Sequence, residues 1–170
     1  MPSAHSTGDS VQISRHPDGS KAYLLQATQW LPRPLKEVFA FFADAGNLEA
    51  ITPPWLNFQV LTPQPIEMHA GALIDYRLRL HQIPIRWRTE ISAWDPPYRF
   101  IDQQLKGPYR IWIHEHTFQS VDNGTEVLDN VKYSVPGGPL VHRLLVRGDL
   151  QRIFNFRQKK IRELLGVNPE

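Results

Sequence analysis

Three features predict an α+β fold: a curved antiparallel sheet of about seven strands wrapped around a long C-terminal helix, with two short helices after the first strand. Between Asn57 and Val135 apolar residues recur at every second position, the period of strands with one buried face. From Leu150 onward, Leu150, Ile153, Phe154, Arg157, Ile161, Leu164 and Leu165 recur at three- and four-residue steps and draw one stripe on a helix. A proline-bounded segment after Leu31 carries helical spacing instead.

The chain has 170 residues, enough for one domain with a real core. Lys and Arg total 19 against 17 Asp and Glu, so bulk charge names no nucleic-acid partner. The absence of cysteine excludes disulfides, thiol catalysis and zinc sites of the cysteine type. No apolar run approaches the roughly 18 residues that span a bilayer. Residues 1–20 are rich in Ser, His, Gly and Asp and lack the apolar centre of a secretion signal. They read as a flexible lead-in to a cytoplasmic protein whose single domain covers 21–168.

Lys21 to Leu31 suits a first strand, stopped by Pro32 and Pro34. Pro34 is placed to begin a helix, and Leu35, Val38, Phe39 and Phe42 continue it to Ala43. A second helical turn is expected over Leu48 to Ile51. Phe58 and Val60 mark a short strand, and Ala72 to Leu80 and Ile83 to Trp94 alternate clearly. Ile74, Tyr76, Leu78, Ile85, Trp87, Thr89 and Ile91 share one face; Arg77, Arg79, Arg86 and Arg88 share the other with Asp75 and Glu90. That outer face reads as a solvated surface rather than a nucleic-acid contact. Arg99 to Lys106 is a further strand whose register is open: Asp102 and Gln104 face inward, or Gln103 does.

Arg110 to Val121 and Thr125 to Val135 pair around Asn123-Gly124, read as a two-residue turn that sets Glu115 opposite Lys132. Trp112, His114, His116 and Phe118 then share the inner face with Asp129, Val131, Tyr133 and Val135. The C-terminal helix is expected from Pro139 to Gly166. Its early stripe (Val141, Leu144, Leu145, Gly148) lies opposite the later one, which predicts a bend near Gly148 or a first half that covers something other than the core.

Few polar groups in a large apolar lining describe a small-molecule cavity. Here they are Tyr76, His114, His116, Asp129 and Tyr133, each of which could also be a core residue with a satisfied polar end. His114 and His116 stand on one side of a strand, about 7 Å apart by strand rise. They supply half of a metal site, but no third and fourth ligand is evident, so the expectation is no metal. His114 with Asp129 or Asp102 is a candidate acid–base pair.

The element order resembles the START-like, helix-grip (SRPBCC) superfamily of the birch-pollen allergen fold, polyketide cyclases and lipid-transfer domains, over about Ala22 to Gly166. Asp102-Gln103-Gln104, Gly107-Pro108-Tyr109, Trp112, His114, His116, Phe118, Gly124-Thr125, Asp129, Val131, Tyr133 and Pro136 look like a bacterial ligand-binding branch of it. The resemblance implies a seven-stranded sheet around the terminal helix, a hydrophobic cavity, and no metal or cofactor. The function expected is a carrier or sensor for a small hydrophobic molecule of lipid, polyketide or quinone type. Tyr76, Trp87, Trp112, Phe118 and Phe154 would supply apolar contact, and Gln104, His114, His116, Asp129 and Tyr133 the polar end. The alternatives are a cyclase-type enzyme using the cavity histidine with an aspartate, and a protein-interaction module.

Overall fold

The computed structural model describes residues 9–166. One antiparallel sheet has the order β1-β2-β8-β7-β6-β5-β4-β3. Its strands are β1 Ser10–Arg15, β2 Tyr23–Leu31, β3 Gln59–Val60, β4 Leu73–Leu80, β5 Ile83–Asp95, β6 Arg99–Lys106, β7 Ile111–Val121 and β8 Gly124–Ser134. Among the described residues the sheet therefore has eight strands, and β1 is the one not anticipated. It lies in the stretch read as a lead-in, where Val11 and Ile13 alternate among polar neighbours too weakly to register as a strand. β1 pairs with β2 from Ser10↔Thr28 to Arg15↔Tyr23. The helical side holds it as well: Gln158 Nε2 donates to Ser10 O (3.2 Å) and Thr28 O (3.0 Å).

Helix α1 is Leu35–Ala43 and buries Val38, Phe39 and Phe42. Pro34 sits at its N-cap rather than inside it. The second short helix is displaced from Leu48–Ile51: 3-10 turns form at Ala45–Asn47 and Pro54–Leu56 instead. The Asp44 side chain fixes the first by accepting from Gly46 N (2.8 Å), and Pro54 is pre-set for the second.

The C-terminal helix runs as α2 Gly138–Val141, a π turn His142–Val146, and α3 Arg147–Leu165. The irregularity ends just before Gly148, and its wider turn rotates the apolar stripe between the two halves. Accordingly Leu140, Leu144 and Leu145 are exposed while Leu150, Phe154, Ile161 and Leu165 are buried.

The β7–β8 turn differs from expectation in an instructive way. Asp122 (φ 48°) and Asn123 (φ 62°) are its left-handed residues, and Val121 pairs with Gly124. Gly124 serves a different need, because a Cβ there would sit 2.4 Å from Leu31 O and 2.5 Å from the Trp30 ring. The pairing is thus two residues away from that expected: Glu115 faces Asn130, while Lys132 pairs with Asp18 at 2.5 Å. An even shift leaves every side chain on its expected face.

Two packed clusters hold α3 on the sheet. One gathers Tyr23, Leu25, Val131, Tyr133, Leu150 and Phe154; the other gathers Leu31, Val38, Phe42, Phe118, Ile161 and Leu165. Each fully buried aliphatic or aromatic side chain contributes about 1.5 to 3 kcal/mol. Between the clusters, the middle of α3 spans a hollow over β4 to β7.

Candidate functional site

The hollow is a cavity of about 190 Å³. Phe42 and the 48–58 segment close one side, β4 supplies Ile74, Tyr76 and Leu78, and β5 supplies Trp87, Thr89 and Ile91. From β6 and β7 come Phe100, Asp102, Trp112, His114 and His116, and α3 roofs the space with Leu150, Ile153, Phe154 and Arg157. The alternation of β4, β5 and β7 places these side chains inward, as their sequence pattern requires.

Four ionisable residues form one row across three adjacent strands. Asp102 on β6 is the cross-strand partner of His114, and His116 on β7 is the partner of Asp129 on β8. The directed hydrogen bonds run diagonally: His114 Nε2 to Asp129 Oδ1 at 2.9 Å, and His116 Nε2 to Asp102 Oδ2 at 2.8 Å. His114 Nδ1 lies 3.6 Å from the same Asp102 oxygen. His116 Nδ1 lies 2.8 Å from Asp129 Oδ1 but off the line of a hydrogen bond, so it remains a buried nitrogen without a directed partner.

The imidazoles stack at 3.7 Å between centroids with 29° between planes, and Phe100 stacks on His116 at 4.2 Å. This is far closer than the separation expected from strand rise, because Asp129 Oδ1 draws both rings toward one point. Asp102 keeps about 20% of its side-chain surface open, whereas His114, His116 and Asp129 are buried. It is the carboxylate that the cavity reaches.

Burial opposes charge at all four positions, so each shift shows which neighbour wins. For Asp129, burial would raise the carboxyl, yet the hydrogen bond from His114 and the close imidazole of His116 hold it well below the usual range. Asp102 is likewise lowered against burial, by the charges of His114, His116 and Arg157 and the hydrogen bond from His116. Burial lowers His114, and the neighbouring His116 lowers it further. His116, held between two carboxylates, is raised despite its burial.

Tyr76, Trp87, Trp112, His114, His116 and Phe154, all expected in the site, line the cavity, as does Asp102. Asp129 stands behind the imidazoles. Three expected residues are elsewhere. Gln104 folds back onto the turn, donating to Tyr109 O (2.7 Å) and accepting from Tyr109 N (3.2 Å). Phe118 packs into the closed cluster with Phe39 and Phe42. Tyr133 is sealed against Tyr23, with its hydroxyl 2.8 Å from His142 Nε2.

Arg157 is named in the sequence only within the helical stripe, where it is the one charged residue, and not as a site residue. Its Nε is buried without a hydrogen-bond partner, and its guanidinium lies 5.5 Å from the Phe42 ring centroid. Ile153 of the helical stripe and Tyr109 of the Gly107-Pro108-Tyr109 motif also line the space, though neither is among the expected site residues.

A curved sheet closed over a terminal helix, with an apolar hollow between them, defines the helix-grip class of protein. Within it, residues 31–158 match the family described as polyketide cyclase/dehydrase and lipid transport, and the chain belongs to that family. No curated protein sequence matches the chain. Among solved structures, protein Ms6760 of Mycobacterium smegmatis is 17% identical with a TM-score of 0.66, covering 91% of this chain and 97% of its own. Protein CV1439 of Chromobacterium violaceum is 13% identical with a TM-score of 0.67, covering 85% and 99%. Major latex-like protein 151 of Panax ginseng is 10% identical with a TM-score of 0.63, covering 86% and 99%. At these identities the likeness is one of fold. Among the described residues no helix is long and apolar enough to cross a membrane.

Proposed function

We propose that the protein binds a small, largely apolar molecule in this cavity, with the molecule's polar end toward Asp102, the histidine pair and Arg157. One observation carries this reading: a lining of aromatic and aliphatic side chains with its ionisable groups gathered in a single place. Membership in a family of cyclases and lipid carriers supports it. Size narrows the class. An engineered cavity of about 150 Å³ holds benzene, so a space of 190 Å³ suits a compact ring system better than a whole long-chain lipid.

The test is native mass spectrometry of freshly purified protein together with thermal shifts across a panel of apolar ring compounds. A ligand at a hundred times its Kd stabilises by about 2.7 kcal/mol. For a domain of this size that corresponds to about 5 to 10 °C. Trp87→Ala should reduce the shift. If no apolar mass is retained and no compound raises the Tm, the cavity is not a binding site.

A further inference from the structure

We propose that Asp102 Oδ2, His114 Nδ1 and His116 Nε2 form a three-ligand site for a divalent first-row transition-metal ion, with Asp129 orienting both imidazoles from behind. The three residues converge, their donor atoms lying within 4.8 Å of one another. From the shared Asp102 oxygen the two nitrogens stand at 2.8 and 3.6 Å. Metal–ligand bonds of about 2.0 to 2.2 Å at tetrahedral or octahedral angles set adjacent donors about 2.8 to 3.6 Å apart. The two observed distances lie at the ends of that range.

Proton accounting favours an ion over hydrogen bonds alone. Asp129 accepts from His114 Nε2, which places the neutral ring's one proton there and leaves Nδ1 as a bare lone pair. That lone pair faces a carboxylate oxygen, acceptor against acceptor. A proton on His116 Nε2 satisfies its own contact with Asp102 and leaves the other unanswered. One cation at the centre answers all three. It also makes His116 a neutral ligand whose Nδ1 can turn its proton toward Asp129, the nearest acceptor at 2.8 Å. A carboxylate behind the ligating histidines is the usual means of fixing their tautomer and orientation.

Two imidazole nitrogens and one carboxylate oxygen suit iron(II), zinc or cobalt(II), and all three residues line the cavity, through which further ligands would reach the ion. Asp102 is the third ligand the sequence does not reveal, because its inward register is settled only by pairing with β7.

The experiment uses the full chain, stripped with chelator and titrated with cobalt(II) by visible absorption and with zinc by calorimetry. One ion per chain with a Kd in the micromolar range or tighter is expected. His114→Ala and Asp102→Ala should each weaken binding by at least about 100-fold, and Asp129→Asn by about 10- to 100-fold. His81→Ala, at the exposed His81–Asp149 pair, should leave it unchanged. Millimolar or substoichiometric binding by the wild type overturns the proposal, as does unchanged affinity in natively folded His114→Ala or Asp102→Ala. If those variants do not fold, X-ray absorption of the wild-type cobalt complex decides: two imidazole ligands are expected, and one or none overturns it. Because the probe is the metal alone, a negative result leaves the apolar-ligand reading standing.

Discussion

Acid should unfold this protein partly through one ring that does not line the cavity. His142, in the π turn, is 4% exposed, lies flat on Tyr23 at 3.4 Å between centroids, and meets the Tyr133 hydroxyl at 2.8 Å. Burial, with Arg147 and Arg15 adding to it, pushes its pKa down from 6.5 to about 4. Between those values the unfolded chain takes up a proton that the folded one refuses. Stability from this ring is therefore complete above pH 6.5 and is lost as the pH falls toward 4. The full shift corresponds to about 3 kcal/mol. Arg15 and Arg147 are solvent-exposed and screened, so about 2 kcal/mol is the better expectation, or about 4 to 8 °C in Tm. His142→Phe keeps the stack on Tyr23 and removes the titration. It lowers stability at pH 7.5 by about 1 to 2 kcal/mol, since the Tyr133 hydroxyl loses its partner. Urea unfolding at pH 7.5 and 4.5 gives the comparison, and the carboxylates common to both proteins cancel in it. The variant should lose about 2 kcal/mol less than wild type between the two pH values. Equal losses would refute the reasoning.

Three further outcomes follow from the packing. Gly124→Ala sets a methyl against a backbone oxygen and should cost about 2 kcal/mol or more in urea unfolding, whereas Gly148→Ala, with open space around it in α3, should gain about 0.5 to 1 kcal/mol. Gln158→Leu leaves two half-buried carbonyls on β1 and β2 without their donor; about 1 to 2 kcal/mol should be lost, and hydrogen exchange should show β1 released first. Ile153→Trp fills the cavity from above, so it should abolish the thermal shift given by any apolar compound while lowering the Tm of the empty protein by no more than a few degrees.

The parts legible in the sequence were those written as period. Alternation along β4, β5 and β7 fixed which residues face inward, and the stripe after Leu150 fixed the helix that covers them. Register was harder, because it depends on turn geometry that neighbouring strands can override. Asn123-Gly124 looks like a hairpin turn, but Gly124 is needed where β2 approaches, which moves the turn to Asp122-Asn123. The inner face survived only because the displacement was even. Asp102 could not be placed from β6 alone, since the 104–109 turn is closed by the Gln104 side chain rather than by turn residues with a fixed register. The closeness of the histidine rings was hidden for a related reason. Strand rise sets Cα positions, whereas a shared carboxylate on the next strand sets where the rings meet.

The two packed clusters beneath α3 act like piers under a beam, and the load falls on them rather than on the span between. Side chains at a support and outside the gap, such as Ile161 and Leu165, are tied to the standing of the whole structure. Arg157, over the gap, belongs to neither support. Lineages sharing this architecture can therefore re-tailor what they hold by changing the mid-span, without first having to shore up the frame.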